Sequence, residues 1–386
     1  MVWRDSFPFE LSEEENFACD TAHAFAEKDV APLAAKIDRE HYFPKELIPK
    51  MGELGLMGSI IPPEYGGSGL STLAYALIIE ELSAACASTG IIVSAHTSLC
   101  VTPILDYGTE EQKKYFLPRL ASGQALGCFA LSEPSTGSDA AAITTTYRED
   151  ADGYVLNGTK NWITNAPEAG VCVVFASRDT SKGNKAITAF VHDMNLSGIS
   201  KGKHEDKMGI RGSPTSSITY DNVRLPKSAV LYDENRGFTV AMTTLNGGRI
   251  GVASQAVGIA RASLDDALKY AQERKAFGKP ICEHQSIQNY FAEMVCRIDS
   301  ARYLTLGAAK RKDQKKSYVR QAAMAKLSAS ETAMYCANKG IQIHGGYGFV
   351  TDYPAERHLR DAKITEIYEG TSEIQRILIA TQLLKE

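Results

Sequence analysis

The feature that most constrains this chain is a hydrophobic period that changes twice. Through the first 120 residues, apolar side chains recur at helical spacing. Phe17, Ala18, Ala22, Phe25 and Ala26 form one stripe behind Ser12 and Glu15, whose spacing is that of a capping box. Pro62, Pro63, Gly66, Gly67 and Gly69 make a loop before an apolar helix from about Ser71, and a second box, Thr109 with Gln112, opens a helix predicted to end near Gly123. From about Leu126 to Pro226 the pattern becomes β-branched and aromatic runs at 171–176, 187–191 and 218–223, separated by Gly, Asn and Asp. Asp152-Gly153 and Asn157-Gly158 both supply the positive φ of two-residue hairpin turns, so the sheet is predicted to be antiparallel. Helix then returns: Ile250, Ala253, Val257, Ala260, Leu264, Leu268 and Ala271 form one stripe, and another helix is predicted from Ser317 to a stop at Gly340.

The expected fold is therefore α+β and multi-domain: a helical domain over 1–124, a middle antiparallel β domain over 125–232 and a helical bundle over 233–386. Composition narrows the function. With 42 Lys and Arg against 46 Asp and Glu, the net charge of −4 lacks the basic excess of a nucleic-acid binder. Apolar runs such as 171–176 are short, so no membrane span is expected. Asp5, Glu10 and Glu13 to Glu15 leave neither a cationic signal nor an acid-poor transit sequence. The expected location is the bacterial cytoplasm, or the mitochondrial matrix only if a transit peptide is missing. The eight cysteines contain no C-x-x-C pair, and His344 and His358 have no companions at ligand spacing, so no metal site is expected.

No G-x-G-x-x-G follows a strand, and 153–160 (GYVLNGTK) only mimics a phosphate loop, with Lys and Thr in the wrong order; it reads as a plain turn. The segment 130–139 (ALSEPSTGSD) suits a surface turn, but it also exposes N–H groups and hydroxyls able to hold the polar edge of a heterocycle or a phosphate. Trp162, Ile163 and Thr164 lie one hairpin further on; a strand Trp belongs to a core as readily as to a flat apolar wall. Glycines crowd 342–348 (QIHGGYG), as at a helix corner or at a close approach to the backbone. Glu369 stands between Tyr368 and Gly370 before an amphipathic helix, where a carboxylate is either a dipole-stabilised helix start or a base.

Together these segments resemble the acyl-CoA dehydrogenase family of flavoproteins over nearly the whole chain. ALSEPSTGSD and QIHGGYGFVTDYPAERHLRD look like its two signatures, with NGTKNWITN, EDKMGIRGS, GGRIGVASQAVGIA, ERKAFGKP and ITEIYEGTSEIQR in the family's order. The wording around Arg249 and over 354–376 is most similar to the short-chain (butyryl-CoA) branch.

The resemblance implies a C-terminal four-helix bundle, a homotetramer and one FAD per subunit. Phe129, Leu131, Ser132, Thr136, Gly137 and Ser138, with Trp162, Ile163 and Thr164, would contact the flavin and its ribityl chain. Arg274, Gln285, Gln342, Gly345 and Gly346 would hold the pyrophosphate and adenine side, partly across a subunit interface, while Thr371, Ser372 and Glu373 would meet the diphosphate. Ser138, Asn246, Arg249 and Gly370 would line the substrate channel; the short-chain pattern usually has Asp where this chain has Asn246, so a charge is missing there. Glu369 would take the α-proton of a short-chain acyl-CoA while the β-hydride passes to flavin N5, giving the trans-2-enoyl-CoA and passing electrons to an electron-transfer flavoprotein. Some branches carry the base just before the arginine; here that position is Gly248. An acyl-CoA oxidase would be expected to carry a further C-terminal domain, and a silent CoA-binding or assembly homologue to have lost Glu369. The floor of the acyl cavity is expected from helices between about Ser71 and Leu105.

Overall fold

The computed structural model describes residues 9–385, so Asp5 of the acidic N-terminus lies outside the described residues. Helix α1 (Glu13–Phe25) opens on the predicted capping box: Glu15 N–H donates to Ser12 Oγ at 3.2 Å, and Ser12 N–H to Glu15 Oε2 at 2.8 Å. Short helices α2 (Ala34–Arg39) and α3 (Leu47–Glu53) follow. Helix α4 (Thr72–Ala85), capped by Ser71, is buried from Leu73 to Ser83, as expected of a helix that is apolar all round. After Cys86, α5 (Ala87–Ser94) continues through a π-turn, Ala95–Val101, into α6 (Thr102–Tyr107). This stretch corrects the expectation of no membrane-length segment. Ala87–Tyr107 is long and apolar enough to cross a bilayer, but 94% of its apolar 18-residue window is buried inside the fold, where it serves as a core helix. Helix α7 (Glu110–Ala121) opens on the Thr109–Gln112 box.

The strands between α7 and the next helix are β1 (Leu126–Ala130), β2 (Thr146–Glu149), β3 (Gly153–Thr164), β4 (Ala169–Ser177), β5 (Ile187–Asp193), β6 (Ile199–Lys201), β7 (Thr215–Pro226) and β8 (Val230–Leu231). Among the described residues they form one sheet, ordered β6-β7-β3-β2-β4-β5-β8, with β1 also paired to β4. The sheet is mixed rather than purely antiparallel. β1 and β2 run parallel to β4 because long connections, not hairpins, join them to it. Asp152-Gly153 does close the β2–β3 hairpin, but Asn157-Gly158 is no turn. Gly158, at φ +148°, marks a bulge inside β3, where Thr145 occupies the space a Cβ would need. GYVLNGTK is thus mostly strand, with its turn just before it.

Helix α8 (Gly237–Glu273) packs with α9 (Gln285–Asp313) and α10 (Val319–His344), and α11 (Ala355–Ile364) and α12 (Ser372–Leu383) close the C-terminal region against α10. Helix α10 does not stop at Gly340 but ends at Gly345, which has φ +61°; Gly340 lies inside the helix, facing Ser263 of α8, with room for a Cβ at ordinary contact distance. Glu80 and Glu81 of α4 reach Arg261 of α8, and Arg302 of α9 donates to Glu80 from 2.9 Å, a buried ionic lock between the N-terminal helices and the bundle.

Candidate active site

The expected site residues fall into three clusters. The first is the loop leaving β1. Here Glu133 is buried and its carboxylate accepts four hydrogen bonds: from Thr144 N–H and Oγ1 (each 2.6 Å), Thr145 N–H (2.9 Å) and Lys160 Nζ (2.8 Å). Lys160 also donates to the Leu131 carbonyl, and Asn161 N–H to the Ser132 carbonyl, so the loop is sewn to β3. Burial pushes the Glu133 carboxyl up, but the Lys160 charge and the hydrogen bonds outweigh it and hold it at about 2. Burial lowers the Lys160 ammonium to about 8, which leaves both groups charged at neutral pH. Phe129 packs on Phe175, and Leu131 and Ile163 are buried. Gly137 and Ser138 stay at the surface, with open space where a Gly137 Cβ would stand. Trp162 is not a core residue. It sits at φ +59° in a break of the β3 ladder, 61% exposed, on the same segment as Thr164.

The second cluster surrounds Glu369, whose Oε2 is buried without a hydrogen-bond partner. Glu369 and Gly370 have φ of +52° and +95°, and a left-handed conformation at a residue with a Cβ persists only where the surrounding structure holds it. Two donors hold that turn through the Gly370 carbonyl: Lys326 Nζ at 2.7 Å and Gln375 Nε2 at 2.8 Å. The Tyr368 hydroxyl donates to Gln255 Oε1, and Gln255 Nε2 reaches the Ala87 carbonyl at 3.0 Å, tying the turn to α8 and α5. A Cβ at Gly248 would stand 2.1 Å from Glu369 Oε2 and 3.0 Å from Leu99, so the bare backbone of α8 is what gives the carboxylate its room. Gly251 accommodates the hydroxyls of Tyr75 and Ser94 in the same way, which brings the expected 71–105 interval up to this part of α8. Arg249 is buried; it donates to Asn246 Oδ1, while its Nε has no partner. Burial raises the Glu369 carboxyl to about 7 against the opposing pull of Lys326 and Arg249. Thr371 Oγ1 caps α12 by accepting from Ile374 N–H, Ser372 Oγ is buried and unpartnered, and Glu373 lies in the exposed first turn.

The third cluster stands apart. Arg274 ends α8, 25 residues beyond Arg249, which is roughly 37 Å along the helix axis. Its guanidinium lies over the Tyr347 ring next to Gly345 and Gly346, with Gln342 and Gln285 also exposed. Around them Phe277 is 98% and Phe349 83% exposed.

Sequence reasoning assigned no role to Lys326, Gln375 or Lys160. Lys326 did carry a signal: with Ala322, Ala329 and Ala333 it occupies a helical stripe that is wholly buried, and a lysine there requires a partner. Gln375 carried none.

Profiles of the acyl-CoA dehydrogenase N-terminal, middle and C-terminal domains match residues 12–124, 128–223 and 235–384. The chain belongs to the acyl-CoA dehydrogenase family. The mitochondrial short-chain specific acyl-CoA dehydrogenase of Mus musculus is 52% identical over 376 residues, 97% of this chain and 91% of that protein. The solved butyryl-CoA dehydrogenase of Megasphaera elsdenii superposes with a TM-score of 0.96 at 44% identity, covering 98% of this chain and 100% of that one. A chain in a structure described as the electron transferring flavoprotein of Acidaminococcus fermentans superposes at 0.97 and 47% identity, with the same coverage. The protein is an oxidoreductase of the acyl-CoA dehydrogenase type. The family consists of FAD enzymes, and the residues present fit that cofactor. The β1 loop offers a buried, unpartnered Thr136 Oγ1 beside the open face of Gly137, α12 offers the orphaned Ser372 Oγ at a helix N-terminus, and Trp162 projects from its strand.

Proposed function

We propose that this chain converts a short-chain acyl-CoA to the trans-2-enoyl-CoA, with Glu369 as the base for the α-proton and an electron-transfer flavoprotein as the electron acceptor. The observation that carries the reading is the unpartnered Glu369 Oε2 against the bare backbone of Gly248. A carboxylate that spends no hydrogen bond on the protein is free to take a proton, and a value near 7 matches it better to a weakly acidic C–H than an ordinary carboxylate would be. The Glu369 backbone N–H donates to the thioester oxygen as enolate charge develops. Ser138, Asn246, Arg249 and Gly370 line the approach of the thioester and the CoA chain. FAD, when bound, supplies the hydride acceptor for the β-carbon. Phe129, Leu131, Ser132, Thr136, Gly137 and Ser138, with the 162–164 segment, hold its ring and ribityl chain, and Thr371, Ser372 and Glu373 its diphosphate.

Arg274, Gln285, Gln342, Gly345 and Gly346 complete the cofactor site of a second copy. Arg274 stands roughly 37 Å along α8 from Arg249, and the bare Phe277 and Phe349 beside it call for a covering surface, which supports a second copy there. These features call for at least a second copy and the family resemblance makes the number four, so light scattering of the holoenzyme should give about four times 41.9 kDa. A monomer with full activity is the opposite result.

Anaerobic titration of the purified flavoprotein with straight-chain acyl-CoAs, from butyryl-CoA to lauroyl-CoA, tests the reaction. Butyryl-CoA should bleach the flavin stoichiometrically and longer chains progressively less well; the preferences will overlap, because a methylene is worth only ~1–3 kcal/mol in such a pocket. Absence of bleaching by every chain length would sink the proposal.

A further inference from the structure

Resting on the assignment of Glu369 as the base, we infer that Lys326 is its positioning residue: its ammonium group pins the Gly370 carbonyl and sets a positive charge beside the carboxylate that is to accept the proton.

Lys326 projects from α10 with no exposed surface, on the stripe it shares with Ala322, Ala329 and Ala333. An ammonium there is costly unless both its donors and its charge are answered. The Gly370 carbonyl, 2.7 Å from Nζ, answers a donor but not the charge. Of the carboxylates that face Lys326, Glu369 acts on it most strongly, ahead of Glu366 and Glu373. No contact ion pair joins the two groups, so the charge acts across the turn while Oε2 keeps its free lone pairs.

The tether has a mechanical purpose as well. A left-handed backbone is disfavoured for a residue with a Cβ such as Glu369, whereas Gly370 adopts its positive φ freely. Lys326 and Gln375 hold the turn by converging on one carbonyl.

The remaining charged and titratable groups around Glu369 are Arg249 from α8, Tyr75 from α4 and the adjoining Tyr368. Both phenols are pushed up by burial and stay neutral, so only Lys326 and Arg249 oppose the burial of the carboxylate, and Lys326 does so more strongly. The sign follows. Burial raises the Glu369 carboxyl to about 7 and Lys326 pulls it down, so removing the lysine charge raises it further. Flavin reduction should increase as pH rises through about 7 in the wild type, and through a higher midpoint without the charge.

The experiment compares K326M, K326Q and Q375L holoenzymes with wild type in anaerobic stopped-flow with butyryl-CoA across the neutral pH range. K326M removes charge and tether, whereas K326Q removes the charge and keeps a donor. Q375L removes the neutral donor from the same carbonyl. Both lysine variants should move the midpoint up by about one pH unit, a tenfold loss of rate below it, while Q375L lowers the plateau and leaves the midpoint in place. If K326M does not fold, K326Q carries the same test. The infrared carboxyl stretch of protonated Glu369, assigned by its loss in E369Q, should strengthen at neutral pH in the lysine variants, independently of turnover. A midpoint and carboxyl band unchanged in K326Q would overturn the inference, as would a Q375L shift equal to that of K326Q. An E369Q enzyme that still reduces its flavin overturns the base assignment instead, so the two failures are distinct.

Discussion

Replacing Glu369 with Gln should leave a protein that binds FAD and acyl-CoA but reduces its flavin with butyryl-CoA at least about 10² to 10⁴-fold more slowly, the usual worth of a positioned general base. Gln has the size of Glu and its hydrogen-bonding reach, so the turn held through the Gly370 carbonyl should survive. What disappears is the proton acceptor, and nothing nearby replaces it. The groups that act on Glu369 are the cations Lys326 and Arg249, and the phenols of Tyr75 and Tyr368 are pushed well above neutrality by burial. The other position from which a carboxylate could reach the same point is Gly248, which has no side chain. Anaerobic stopped-flow decides the matter: bleaching within a few-fold of the wild-type rate would show that the α-proton leaves by another route.

Much of this arrangement was legible in the chain because it is written in local patterns. The capping boxes at Ser12 and Thr109 involve residues three apart, and both form as read. Asp152-Gly153 turns the chain where a turn was expected. The failures are non-local. Asn157-Gly158 has the same wording as a hairpin turn, but whether it bends the chain back or bulges it is decided by Thr145 on the neighbouring segment. The pairing of β1 with β4 depends on how the intervening loops pack, which no residue pattern records. Gly340 resembles a helix stop, but α10 runs through it to His344, packed along α8. Glu369 could be singled out from its neighbours in sequence, but its character could not, because its surroundings come from α4, α8 and α10. Lys326 lies 43 positions before Glu369, and only the crossing of α10 beneath the turn brings the two together.

Substitution of Lys160 carries a large expected cost in stability. Lys160 and Glu133 are both fully buried, and removing one member of such a pair strands the other charge in a medium that cannot solvate it. Lys160→Met should therefore destabilise the β domain by about 3–5 kcal/mol, read as an earlier urea midpoint of the holoenzyme. It should also hasten FAD release, because Lys160 tethers the Leu131 carbonyl at the start of the loop that carries Thr136 and Gly137. The pH dependence has a definite direction. Glu133 is held at about 2 against an ordinary value of 4.5, so its contribution is fully present above 4.5 and is lost as pH falls towards 2. The variant should lose most of that acid-sensitive component. Adding Glu133→Gln to Lys160→Met discharges the stranded carboxylate while an amide oxygen can still accept from Thr144 and Thr145. The double variant should accordingly unfold at a higher urea concentration than Lys160→Met alone, the reverse of simple additivity for two damaging changes. If it unfolds at the same concentration or lower, the cost lies in lost packing around the lysine stem rather than in an unpaired charge.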